Sequence, residues 1–103
     1  MHLEIRHHGV DLTQEIRDWL QRRAEFALGR LQDRVLRVWA HLTDHNGPRG
    51  GVDKSCRVVV HLPQRPPVVV EDRAENLYGA IDRAVNRAGQ VVRRQLGKRA
   101  SHR

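Results

Sequence analysis

Residues 76–99 constrain the fold more than any other stretch, because one helical period there sorts apolar and basic side chains onto different faces. At about 100° per residue, Leu77, Ala80, Ile81, Ala84, Val85, Ala88, Val91 and Val92 gather on one broad stripe, the pattern of a helix packed along one side. Arg83, Arg87, Arg94 and Lys98 fall on an adjoining stripe, with Gln90 among them. No acidic residue occurs from Arg83 to the last residue, so nothing local neutralises that row. An apolar stripe this wide needs a sheet or a second helix to cover it, and the basic row beside it suits a polyanion. Gln95 falls at the centre of the apolar stripe. The packed part is therefore expected to end near Val92, with residues 93–103 as a basic end projecting past the core.

A chain of 103 residues makes one domain around a single core, here residues 1–103. Its formal charge of +7 and pI near 11.2 point to a polyanionic partner, nucleic acid first and an anionic membrane surface second. The single cysteine, Cys56, rules out an internal disulfide framework and suits a reducing compartment. The opening residues lack an apolar signal core, and no apolar run approaches the roughly 20 residues of a membrane span. The expected location is the cytoplasm, with no membrane partner.

Residues 1–8 alternate Leu3 and Ile5 against His2, Glu4 and Arg6, the period of a half-buried strand, and Gly9 ends it. Thr13 is a candidate N-cap, with Glu15 in the first turn, for a helix reaching about Leu31. Its core positions are Ile16, Leu20, Ala24, Ala27, Leu28 and Leu31. Along one edge Trp19, Arg23, Phe26 and Arg30 alternate aromatic and guanidinium groups. Two readings stand for that edge: an RNA-facing strip with aromatic platforms, or aromatics closing a groove against the second helix while the arginines reach water.

Residues 35–43 read as a strand with Leu36, Val38, Ala40 and Leu42 inward and Arg37, Trp39, His41 and Thr43 outward. The Gly- and Pro-containing segment 44–53 is turn chemistry. It lacks the lysine and hydroxyl residue of a P-loop and does not open a helix, so a hairpin loop is the better reading. A strand at 54–62 points Cys56, Val58, Val60 and Leu62 inward, and a short edge strand begins at Val68 after Pro66-Pro67. The inward phase makes Cys56 a core residue, with a reactive thiol as the alternative. Asp72 is a plausible cap for the last helix, with Glu75 adding charge to its first turn. The order predicts a two-layer α+β sandwich, β-α-β-β-β-α, with both helices on one face of a four-stranded sheet. Arg23 and Arg30 are then expected near Arg83, Arg87 and Arg94 on one basic surface.

The residues His8-Gly9-Val10-Asp11-Leu12-Thr13, the helix bearing Arg23, and above all Tyr78-Gly79-Ala80-Ile81-Asp82 followed by Arg87 and Arg93-Arg94 resemble the ribosome hibernation-promoting factor and ribosome-associated translation inhibitor family. The resemblance spans essentially the whole chain. It implies the same element order, similar to a double-stranded-RNA-binding domain. It also implies binding to the 16S-type rRNA of the small ribosomal subunit, in the channel between head and body where mRNA and tRNA sit, so that idle ribosomes are silenced under stress. Arg23 stands at a basic position of the first helix and Arg87, Arg93 and Arg94 at basic positions of the second. Tyr78 would pack near the helix start and Asp82 would orient a neighbouring arginine. With the basic row and the tail, the expected RNA-binding set is Arg23, Arg30, Arg83, Arg87, Arg93, Arg94, Lys98 and Arg99. The loop 46–51, Gly89 and Gly97 depart from the family pattern. The end at Arg103 leads to the expectation of a short form, with neither the dimerisation domain of the long form nor the acidic tail of the inhibitor form.

No Ser-His-Asp or paired-carboxylate arrangement follows from the spacing, and the expectation is a non-enzyme with no cofactor and no small-molecule substrate. The seven histidines, with His41 and His61 in the same outward phase, raise a metal site as an alternative to exposed surface histidines. A generic double-stranded RNA- or DNA-binding regulatory module is the other functional reading of the basic helices. A third is protein interaction through Trp39, Val59 and His61 on the free sheet face.

Overall fold

Alternating side chains build the sheet. In the computed structural model, which describes residues 1–45 and 52–101, the strands β1 (Leu3–His8), β2 (Arg37–Asp44), β3 (Lys54–His61) and β4 (Val68–Ala74) lie side by side in chain order. β1 runs parallel to β2, and the β2–β3 and β3–β4 pairs are antiparallel. The register sets Val38 between Leu3 and Val60, and Ala40 between Ile5 and Val58, so one face is apolar. Two helices, α1 (Gln14–Leu28) and α2 (Leu77–Ser101), cover that face. Leu20, Ala24, Ala27 and Leu28 of α1 meet Val38 and Val60 below and Val85 and Ala88 of α2 beside them. The expected β-α-β-β-β-α sandwich is the observed one. The loop 46–51 lies outside the described residues.

Local signals set some boundaries and mislead at others. Thr13 caps α1 as expected, its hydroxyl accepting the Ile16 N–H at 3.2 Å. α1 stops at Leu28, short of Leu31, because Gly29 takes a φ of +53° and returns its N–H to the Glu25 carbonyl. A 3₁₀ turn, Gly29–Arg34, follows, and Leu31 still packs against the core from it. That turn delays β2 to Arg37. Leu36, expected inward, therefore sits before the strand and is 67% exposed, while Val35 takes the inward place. Asp72 does not cap α2: pairing with β3 carries β4 through Ala74, and Asn76 accepts the Gly79 N–H at 2.9 Å instead. Glu75 precedes α2, whose first turn holds no acidic residue.

The packed part of α2 also outruns Val92. Leu96 is buried in the core, one turn further on. Gln95 is accommodated because it lies at the rim of the sheet, where Arg65 from the β3–β4 connection donates to its carbonyl and, at 3.2 Å, to its side-chain oxygen.

The two helices come into close contact at Gly89. A Cβ there would lie 2.8 Å from the Ala27 carbonyl oxygen and 3.1 Å from the Ala27 methyl, whereas a Cβ at Gly97 meets nothing within 4 Å. Gly89→Ala should accordingly destabilise by about 1–3 kcal/mol as the helices are forced apart. Gly97→Ala should stabilise by up to about 1 kcal/mol through helix propensity alone. Thermal denaturation of the pair checks both signs. Cys56 is fully buried on β3, and burial, aided by the charge of Glu71, pushes its thiol up to about 12. Since the thiolate is the reactive form, a thiol-specific reagent near pH 8 should label Cys56 only after denaturant is added.

Candidate nucleic-acid interface

The seam between α1 and α2 orders the candidate site. Trp19 meets Asp82, Arg23 meets Asp82 and Asn86, and Ala27 meets Gly89 and Arg93, so the contacts climb both helices together and the helices run parallel. Trp19 Nε1 donates to Asp82 Oδ1 at 2.9 Å, and Arg23 Nε lies 3.3 Å from the same oxygen. Arg23 Nη2 donates to Asn86 Oδ1 at 3.3 Å. Tyr78 stands edge-on to the Trp19 ring, with centroids 5.6 Å apart. Arg93 Nη1 donates to the Ala27 carbonyl at 2.7 Å. α1 has no basic residue in its own last turn, so Arg93 supplies the cation that the negative end of its dipole favours.

The two aromatics on the edge of α1 part company. Trp19 closes the groove, tied to Asp82 and Tyr78. Phe26 does not: it is 78% exposed and lies 5.6 Å from the Arg23 guanidinium carbon. Gly89 of α2, packed against the neighbouring Ala27, offers no side chain to cover a ring. An exposed ring beside a held guanidinium can stack on a base while the arginine meets phosphate.

The predicted cations fall into three groups. Arg23 and Arg93 are held in the seam. Arg83 and Arg87 lean the other way, over the edge strand: Arg83 reaches the Arg73 carbonyl at 3.5 Å, and Arg87 donates to Asp72 Oδ2 at 2.9 Å and to the Glu71 carbonyl at 3.3 Å. Arg30 and Arg94 are exposed on α1's trailing turn and on α2. The expected cluster is thus spread across the full width of α2, because Arg83 and Arg87 find acceptors on β4. Asp82 does orient an arginine, Arg23, and Tyr78 packs at the start of α2, while Ala80 and Ile81 are core residues. The side chains of Lys98 and Arg99 lie outside the described residues. Asn86 and the capping role of Arg93 escape a reading of the sequence, since each acquires its partner only when α1 is laid beside α2.

Arg87 holds the Asp72 carboxyl below the usual carboxylate range, helped by the Arg73 N–H and opposed by partial burial. Among the described residues, no three His, Cys, Asp or Glu side chains group as a metal site, and no helix is long and apolar enough to cross a membrane.

The sheet carries two parallel helices on one face, with arginines held by acceptors along their seam. The chain belongs to the sigma 54 modulation protein / S30EA ribosomal protein family, which it matches over residues 3–100. This is the hibernation-factor family that the Tyr78–Asp82 motif resembles. The N-terminal domain of Protein Y from Thermus thermophilus is 29% identical, with a TM-score of 0.74 over 91% of this chain and 98% of that one. A ribosomal subunit interface protein from Coxiella burnetii has the same fold, with a TM-score of 0.77 at 16% identity, covering 98% of this chain and 99% of that one. No curated protein matches the sequence.

The Asp72–Arg87 contact sets a pH dependence. A carboxyl with a lowered folded-state pKa contributes stability above its unfolded value, and the contribution disappears as pH falls through the folded value. Arg87→Gln should cost about 0.5 kcal/mol at neutral pH, as for a partly exposed pair. The gap in thermal midpoint between the variant and the wild type should close as pH falls below about 4.

Proposed function

We propose that the two-helix face binds rRNA of the small ribosomal subunit in the mRNA and tRNA channel, and that the bound protein inhibits translation and preserves idle ribosomes in the cytoplasm. The observation that carries this reading is the seam: Arg23 and Arg93 are fixed by Asp82, Asn86 and the Ala27 carbonyl within the fold of this family, and exposed Arg30 and Phe26 stand beside them. The name of the Coxiella relative, a ribosomal subunit interface protein, supports the partner. The channel position is what the Tyr78–Asp82 resemblance implies. Occluding a channel needs shape and charge and no bond-making, which accords with a non-enzymatic role. Arginine suits it because the planar fork engages two phosphate oxygens and also stacks. Arg83 and Arg94 widen the surface, and Lys98 and Arg99 continue the basic row in the sequence.

Cosedimentation with purified small subunits tests the proposal. The protein should pellet with subunits at low salt and dissociate steeply as salt rises, since each neutralised phosphate releases counterions. Arg30→Glu with Arg94→Glu should abolish pelleting without altering the thermal midpoint, because neither exposed side chain is part of the core. Excess duplex RNA of unrelated sequence should not displace the protein. Displacement by that duplex would favour the generic double-stranded module, and a protein that stays in the supernatant at low salt would end the ribosome reading.

A further inference from the structure

The face of the sheet turned away from both helices carries a second set of cations that the two-helix surface does not use. The outward strand positions hold four arginines, Arg6, Arg37, Arg57 and Arg73, against two carboxylates, Glu4 and Glu71. Glu71 is paired with Arg57 at 3.0 Å, and Glu4 lies 3.5 Å from the His2 ring, an ion pair only when that ring is protonated. Among the described residues, Arg6 and Arg37 have no acidic partner. They lie instead against an indole, the Arg6 guanidinium carbon 4.0 Å and the Arg37 carbon 5.5 Å from the Trp39 ring centroid.

Strand register turns these residues into rows. Trp39 is opposite Val59, which is opposite Val69, so an apolar row crosses three strands and ends on β1 at Glu4, opposite Trp39. On one side of it runs Arg6–His41–Arg57 and on the other Arg37–His61. Arg6, Trp39, His41, Arg57, Val59 and His61 together line a shallow depression. An apolar row with a cationic row on either side matches an unpaired strand: a base can take the place of the Arg6 guanidinium that lies over the Trp39 ring, others can lie on the valines, and the freed guanidinium meets phosphate. A duplex keeps its base faces stacked inside and has nothing to lay on such a row. A protein partner fits less well, because the centres of protein interfaces are depleted of charge.

We propose that this open sheet face is a second nucleic-acid surface that takes an unpaired RNA segment, bases on the Trp39–Val59–Val69 row and phosphates on Arg6, Arg37 and Arg57. The inference is independent of the reading of the two-helix face. A short labelled oligouridylate, followed by fluorescence anisotropy with the full chain, tests it. Trp39→Ala should weaken binding about tenfold, as for loss of one stacking platform, and Trp39→Phe should retain most of the affinity. Arg6→Ala with Arg57→Ala should weaken binding and flatten its salt dependence. These exposed side chains give a result even where Trp39→Ala fails to fold. Arg30→Glu with Arg94→Glu should affect oligouridylate far less than the sheet-face variants do. Its effect on small-subunit pelleting reports separately on the two-helix face. Unchanged affinity in the sheet-face variants overturns the proposal. So does equal competition by a duplex RNA or by an acidic peptide, either of which would reveal a cation patch with no place for bases.

Discussion

The carboxylate of Asp82 is the contact on which the arrangement of the two helices depends. Three strands separate α1 from α2 in the chain, so no short loop sets their relative height. Side chains therefore set the register, and Asp82 contributes by accepting the Trp19 indole N–H and by pairing electrostatically with the Arg23 guanidinium at 3.3 Å. A half-buried indole N–H needs an acceptor. Further along, the missing side chain of Gly89 lets α2 close on Ala27, and Arg93 reaches the carbonyl exposed there. Parallel helices place like dipole ends together, and a guanidinium at the negative end of α1 offsets part of that cost.

One consequence is that several arginines of the two helices, Arg23 of α1 and Arg87 and Arg93 of α2, are held by the protein's own acceptors before any ligand arrives. A long side chain loses rotamer freedom on binding, and an arginine already held by Asp82 or by a backbone carbonyl has less to lose. Each such arginine makes only part of its possible hydrogen bonds, since a guanidinium carries five N–H donors. Arg83 and Arg87, turned over β4, give the surface breadth and help tie the edge strand to α2.

The sheet separates two basic surfaces of different character. The helix side offers a convex pair of cylinders with cations in and beside their seam. The open side offers a flat pleated lattice where the indole of Trp39 lies among arginines from β1 and β2. The apolar core between them holds Cys56 and the inward valines.

Periodicity alone determined the elements of this protein. The alternation in 35–43 and 54–62 and the stripes at 16–28 and 77–92 name the inward residues, place Cys56 in the core, and leave a basic row outside. These follow from bond geometry within a few residues, which any reader of the chain can count. Thr13 was legible for the same reason. What failed at Leu36, Asp72 and Val92 failed because ends of elements are settled by neighbours: Gly29's turn, the β3 ladder, and Arg65 reaching Gln95. Only the tertiary structure decided which arginine meets which acceptor. Arg23 and Arg93 went to the seam, Arg87 to Asp72, and Arg6 to Trp39, because a guanidinium on a long flexible stem takes the partner that packing brings within reach, whatever its distance in sequence.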